Sequence, residues 1–147
     1  MKPIQTLLVA LIVSLMAIGN TAIAADKQGR SKADAAYKAG KYKAAVAGYK
    51  EWVKTHPKDY EAWFRLGNSY NNIIEPIDAL TAWRAAQKIN PKDPRAWHNM
   101  GMLYLRMSVE SYDNLRKHVP KKDPMARYSN RAINDILRLI RKVPKQK

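Results

Sequence analysis

The sequence predicts an all-α fold made of antiparallel helical hairpins, and the segment 60–93 carries most of the evidence for it. Two apolar stripes at helical spacing lie in this segment, and Pro76 stands between them, where it suits the first turn of a helix. Asn90 precedes Pro91, which disfavours the α conformation at Asn90 and ends the second helix there. Aromatic, glycine and proline residues recur one 34-residue period away, so the hairpin is predicted to repeat. The stripes are Trp63, Leu66, Tyr70 and Ile73, and then Ile77, Leu80, Trp83 and Ile89.

Seven positions of this segment resemble the tetratricopeptide repeat, whose signature is W-x2-L-G-x2-Y followed by alanines and a proline. The resemblance implies a superhelix of about two and a half hairpins, with repeats over 26–59, 60–93 and 94–118. Gly67 and Ala79 are expected at the close approach of two helices, and Trp83 is expected in the core between hairpins. The matching residues are Trp63, Leu66, Gly67, Tyr70, Ala79, Ala86 and Pro91, and those that recur one period away are Pro57, Trp97, Gly101 and Tyr104.

The chain begins with a segment that is typical of a cleavable signal peptide, residues 1–24. Leu7–Ile18 is apolar but shorter than the roughly 20 residues of a membrane span, and Ala22–Ala24 has the small-x-small pattern of a cleavage site. We predict cleavage before Ala25; an uncleaved N-terminal anchor is the alternative. The chain has no cysteine, which excludes a lipid-modified N-terminal cysteine. The mature chain, 25–147, is expected to be one helical domain in a bacterial periplasm.

The first repeat, 26–59, is predicted to start with a helix that Ser31 caps and Gly40 breaks. Its second helix, which ends near Pro57, matches the later half of the repeat signature. In the first helix the signature positions hold other residues, so we expect this helix to be short or frayed, as terminal repeats often are. Those residues are Gly29, Lys32, Ala33 and Ala36.

The third repeat opens with a helix over Pro94–Met107, and we predict a separate, shortened helix over Val109–His118. A last helix follows over 124–143, with apolar residues on one side and basic residues on the other. We expect this amphipathic helix to cap the open end of the repeat stack. Its apolar residues are Met125, Tyr128, Ala132, Ile136, Leu139, Ile140 and Val143.

Charge is the strongest feature of the composition. The formal net charge is +15, and residues 114–147 hold eleven Lys and Arg against two Asp. The positive electrostatic potential of such a chain favours acidic partners and anionic membrane surfaces. Nucleic acid is not expected as a partner, because the predicted compartment lacks it.

Enzymatic chemistry is not indicated by any motif. The three histidines lie far apart in sequence, no close His/Asp/Glu spacing suggests a metal site, and no glycine-rich phosphate loop is present. We therefore expect no enzyme activity, no metal and no cofactor.

The groove is the first candidate binding surface. In tetratricopeptide proteins the first helix of each hairpin lines a concave groove, so the resemblance implies that the outward positions of these helices face a partner. Asn68 and Asn99 match two asparagines of the carboxylate clamp of chaperone-binding members, although Phe64 stands where the clamp has a lysine. The predicted groove residues are Arg65, Asn68, Asn72, Arg95, Asn99, Met102 and Arg106.

The second candidate is the basic side of the last helix, which could dock on an anionic membrane or bind a polyanion. The preferred hypothesis is an exported scaffold that binds a protein or peptide, expected to be acidic, in the groove. The alternatives are a peripheral membrane or polyanion binder and, third, a permanent subunit of an envelope complex. The basic residues concerned are Arg127, Arg131, Arg138, Arg141 and Lys142.

Overall fold

The computed structural model describes residues 28–143, and that part of the chain consists of six α-helices without a strand. The predicted signal peptide, 1–24, lies outside these residues. The helices are α1 (28–38), α2 (Tyr42–Thr55), α3 (Tyr60–Asn72), α4 (Pro76–Ile89), α5 (Pro94–His118) and α6 (Pro124–Lys142). They form two compact units, which divide between Ile89 and Asn90. The predicted all-α helical-repeat fold is confirmed.

The first unit contains two hairpins, α1–α2 and α3–α4. Gly40 ends the first helix as predicted, and its φ of +69° is one that glycine adopts without a steric penalty. The prediction that Ser31 caps α1 is wrong, because the helix already includes residues 28–30. Arg30 explains the extension: it pairs with Asp34 one turn later and with Asp59 in the turn before α3.

Small residues let the helices of the first unit approach closely. A Cβ added to Gly67 would lie 2.5 Å from Trp83 Nε1, and one added to Gly48 would lie 2.8 Å from the Cβ of Ala33. Trp83 is 1% exposed, so its predicted burial is confirmed, although its contacts with Gly67 and Asn68 lie within the α3–α4 hairpin and not between hairpins. The core cluster of this unit is Ala33, Ala45, Tyr49, Val53, Ala62, Leu66 and Ala82.

Ile77 departs from the predicted apolar stripe of α4, because it is 64% exposed. The buried side of α4 instead holds Ala79, Leu80, Ala82, Trp83 and Ala86. Ile77 belongs to the first turn of the helix and faces away from this side. The preceding turn also carries an exposed apolar residue, Ile74, at a φ of 64° that branched side chains rarely adopt.

The second unit is a hairpin of two long helices. The predicted break between Met107 and Val109 is wrong, because α5 runs through it for 25 residues. Ser108 and Ser111, the small polar residues in this region, donate hydrogen bonds to the carbonyl oxygens of Tyr104 and Met107 and so fit within the helix. The α5 helix therefore does not supply both helices of a third repeat, and its partner in the hairpin is α6.

The buried side of α6 is shifted from the predicted apolar stripe. Ala126 and Ser129 are buried, whereas Met125, Tyr128 and Leu139 are 46%, 53% and 57% exposed. The small residues lie where α6 meets α5, which leaves the large ones on the flank of the contact. Tyr128 meets Tyr112 of α5 edge to face, with ring centroids 5.7 Å apart. The capping of the repeat stack by α6 stays a prediction.

Candidate functional site

A polar network joins α1, α2 and α3 in the first unit, and its centre is the carboxylate of Asp34. Oδ1 of Asp34 accepts hydrogen bonds from Tyr49 Oη at 2.5 Å, Arg65 Nη1 at 2.8 Å and Arg30 Nε at 3.3 Å. Burial alone would raise the pKa of Asp34. The hydrogen bond from Tyr49 and the charges of Arg30 and Arg65 outweigh burial, so the pKa lies below its usual 3.8.

Asp59 is the second carboxylate of this network and lies in the turn before α3. It accepts hydrogen bonds from Arg30 and from Trp52 Nε1, the latter at 2.8 Å, and its other oxygen accepts from the backbone N–H of Ala62 at 3.0 Å. The last bond caps α3. Arg30 therefore connects two carboxylates, and its guanidinium also lies 5.8 Å from the centroid of the Trp52 ring.

Arg65, a predicted groove residue, is held in place by acidic neighbours. Its guanidinium donates to Asp34 and, through Nε, to Glu61 at 2.9 Å, and it lies 5.8 Å from the ring centroid of Tyr37. Its side chain is only 25% exposed. Two carboxylates thus already balance the charge of Arg65, and its place in a binding groove stays a prediction.

Asn68 and Asn72 follow Arg65 on the same side of α3. The Asn68 amide accepts a hydrogen bond from Trp83 Nε1 at 3.0 Å and donates to Tyr37 Oη at 3.1 Å. This amide therefore links α3 to both α1 and α4. Asn72 is exposed, and its amide donates to the backbone carbonyl of Asn68 at 2.8 Å.

The other predicted groove residues lie along α5, in the second unit. Arg95 forms an ion pair with Asp93 at 3.0 Å, at the start of the helix. Asn99 and Met102 are half-buried, and Arg106 is exposed. The structure thus places the first three groove residues together on α3 and the other four on α5.

The basic residues of α6 are all exposed: Arg127, Arg131, Arg138, Arg141 and Lys142. Asp135 lies among them, with its carboxylate 3.9 Å from the guanidinium of Arg138. The chemistry of this side is that of a cationic surface, and its proposed use in membrane docking stays a prediction.

Two features of the structure were missed by the sequence analysis. A cleft of about 240 Å³ opens between α2, α3 and α4, with Trp63, Leu66 and Tyr70 in its wall and Lys50 and Lys54 among the residues that line it. A larger, basic cleft of about 690 Å³ lies where α5 meets α6, and Arg116, Lys117 and Lys121 line it. Neither cleft has a sequence signature, because each is formed by residues of different helices.

Residues 28–143 contain neither a cluster of metal ligands nor a membrane-spanning helix. In this range no group of three His, Asp or Glu side chains is arranged to hold a metal ion. Over the same residues, no helix combines the length and the apolar character that crossing a membrane requires.

The helical hairpins of the first unit agree with a comparison of the sequence with known families. The tetratricopeptide repeat family matches residues 29–69, a range that runs from α1 through α2 into α3. No curated protein matches the chain. The matched range contains the residues of the Asp34 network, which lie on α1, α2 and α3 and in the turn before α3. Residues 29–69 therefore carry a tetratricopeptide repeat.

Proposed function

We propose that this protein is an exported, non-enzymatic scaffold that binds an acidic segment of a partner protein on the α1–α3 side of its repeats. Tetratricopeptide repeats suggest protein–protein interaction as the general function. The observation that carries the proposal is the fixed position of the predicted groove residues on α3. Arg65 is held by Asp34 and Glu61, and Asn68 is held by Tyr37 and Trp83.

Such preorganisation favours binding, because side chains that are already ordered lose little entropy when a partner arrives. Asn72 is the exposed member of this row, and Tyr37 provides a half-buried aromatic surface beside Arg65 and Asn68. The acidic character of the partner is inferred from the net charge of +15, which attracts acidic segments at long range.

The first experiment uses a photo-crosslinking amino acid at Asn72, because substitution of the exposed Asn72 leaves the Asn68–Trp83 hydrogen bond in place. Thr81, which is exposed on α4, is the matched control position. In cells, we expect a defined crosslinked partner from position 72 and none from position 81. Equal capture from both positions would contradict binding on the α1–α3 side.

Two variants that add opposite charges at position 72 then test the contact with the purified partner. Asn72→Asp places a negative charge in the groove at nearly constant side-chain volume, whereas Asn72→Lys adds a positive charge. For an acidic segment, the first change should weaken binding and the second should strengthen it, each by about 1 kcal/mol. Thr81→Asp and Thr81→Lys are the controls. If the affinity for the partner changes equally at positions 72 and 81, the net charge of the protein governs binding and not a contact at Asn72.

A second candidate function, docking on an anionic membrane surface, is favoured by the exposed apolar residues of α6. Met125, Tyr128 and Leu139 project beside five cations. Amphipathic helices with this combination lie in the headgroup region, where each nearby cation contributes roughly 1 kcal/mol.

Co-sedimentation with vesicles tests this second candidate. We expect binding to vesicles that contain anionic lipid and none to zwitterionic vesicles, with losses in Leu139→Ser and in Arg131→Gln/Lys142→Gln. Lys43→Gln/Lys50→Gln removes the same charge from α2 and should have little effect. If the α2 pair weakens binding as much as the α6 pair does, the α6 docking surface is refuted.

A further inference from the structure

A neutral stripe with aromatic residues is exposed along one side of α5 in the second unit. Trp97, Gly101 and Tyr104 follow one another at intervals of four and three residues, so they share one side of the helix. Trp97 is 54% exposed and Tyr104 is 42% exposed. We name this stripe, with Pro94 at its start, the Trp97 face.

Gly101 differs from Gly48 and Gly67, the glycines in the middle of α2 and α3. Gly48 and Gly67 each meet a side chain of a neighbouring helix, Ala33 and Trp83 respectively, at distances that leave no room for a Cβ. At Gly101 a Cβ would have no neighbour within 4 Å. A glycine inside a helix lowers stability by about 0.5–1 kcal/mol relative to alanine, so its usual benefit is a close approach. Gly101 thus leaves a shallow hole between the side chains of this face, and none of the residues 28–143 fills it.

The first unit shows how such a hole is filled. The indole of Trp83 occupies the space beside Gly67, with Cδ1, Nε1 and Cγ all near the position of the missing Cβ. On α5 an indole of the same kind, Trp97, stands one turn before Gly101 on the same face. The Trp97 face therefore carries both a large side chain and a hole that accepts one.

We propose that two copies of this chain associate through their Trp97 faces. Two antiparallel α5 helices related by a two-fold axis at the level of residue 99 place Trp97 of each copy opposite Gly101 of the other. The same symmetry places Tyr104 opposite Pro94, since both pairs are centred on residue 99. A two-fold interface requires a self-complementary surface, and a hole and a large side chain on one face satisfy that requirement.

The absence of charge on this face permits two copies to approach there. Copies with a formal charge of +15 repel each other, and an interface is favoured where the approaching surfaces are neutral. Pro94, Trp97, Gly101 and Tyr104 carry no charge. Four residues bury little area, so the dimer should be weak, in the class of small transient interfaces. It should become tighter as salt screens the repulsion, whereas binding of an acidic partner should weaken.

Analytical ultracentrifugation of the mature protein from 10 to 500 µM, at low and at high salt, tests the proposal. We expect a reversible monomer–dimer equilibrium whose dissociation constant falls with added salt. Trp97→Ala and Gly101→Trp should each weaken the dimer at least tenfold, the first by removal of the side chain and the second by filling of the hole. Circular dichroism confirms that the variants remain helical.

The exchanged variant Trp97→Gly/Gly101→Trp restores a large side chain opposite a hole and should regain association. Ile77→Ala, which removes an exposed apolar side chain from α4, should leave it unchanged. Asn72→Asp should also leave it unchanged, which separates this interface from the proposed groove. A chain that is monomeric under all conditions, or a dimer that survives both single changes, would overturn the proposal.

Discussion

At the scale of single residues, the contact of Gly67 with the Trp83 indole gives a direct test of the core. Gly67→Ala places a Cβ where the indole lies, so the helices must move apart, and we expect a loss of roughly 1–3 kcal/mol. Trp83→Ala should lower the free energy of unfolding by about 3–5 kcal/mol, because it leaves a cavity in the core. The double variant should be less destabilised than the sum of the two, because the added methyl group occupies part of that cavity.

Chemical denaturation measures these changes, and Gly101→Ala is the matched control. Position 101 has open space for a Cβ, so this variant should gain about 0.5–1 kcal/mol at concentrations where the chain is monomeric. A similar loss at both glycines would show that helix propensity, and not the Trp83 contact, governs position 67.

The Asp34 carboxylate predicts how acid acts on the first unit. Because the pKa of Asp34 in the folded chain lies below its unfolded value, its ionised form stabilises the fold above that unfolded value. This stabilisation is lost as the pH falls through the folded-state pKa. Asp34→Asn should therefore lower the free energy of unfolding at pH 7, and this effect should shrink as the pH falls below the unfolded-state pKa.

Denaturation of both proteins across pH 2–7 checks this expectation. Glu110→Gln makes the same change from carboxylate to amide at an exposed position on α5. The free energy of unfolding of this variant should fall with decreasing pH in the same way as that of the wild type. If the free energies of unfolding of Asp34→Asn and of the wild type differ by a constant amount down to pH 2, the charge of the carboxylate does not contribute to stability.

At the scale of helices, two aspartates with the same local role should differ in importance. Asp59 caps α3 and Asp123 caps α6, each through a hydrogen bond from a backbone N–H to its side chain. Asp59 also accepts from Arg30 and Trp52. Asp123→Ala should cost about 0.5–2 kcal/mol, as for a simple cap, whereas Asp59→Ala should cost at least 1 kcal/mol more.

Thermal or chemical unfolding, with helix content as the signal, separates the two roles. Asp59→Asn keeps an acceptor for the α3 cap and removes the charge that holds Arg30, so its effect should lie between wild type and Asp59→Ala. Equal losses at Asp59 and Asp123 would mean that the bonds to Arg30 and Trp52 add nothing to the cap.

At the scale of the whole molecule, the proposed export determines whether the precursor or the mature protein meets the partner. Cleavage after Ala24 removes one lysine, so the mature protein keeps almost all of its positive charge. Mass spectrometry of the purified envelope fraction should show an N-terminus at Ala25. A protein that retains Met1 would refute cleavage, and fractionation would then decide between an anchored and an intracellular form.

The sequence by itself determined the helical repeat, because its evidence is local and periodic. The spacing of Trp63, Gly67 and Tyr70, the prolines at helix starts and the break at Gly40 each act within a few residues. The burial of Trp83 also followed from the sequence, because Trp83 lies in the second apolar stripe of the segment 60–93. These features require no knowledge of distant parts of the chain.

Only the tertiary structure decided the surroundings of the predicted site residues. Arg65 was expected to face a partner, but its neighbours Asp34 and Glu61 already accept its hydrogen bonds, and Asp34 comes from another helix. The α5 helix continues through a predicted break, and the buried side of α6 is shifted away from Met125, Tyr128 and Leu139. Sequence periodicity gives the direction of a side chain along its own helix, whereas pairing and exposure depend on which other helix packs against it.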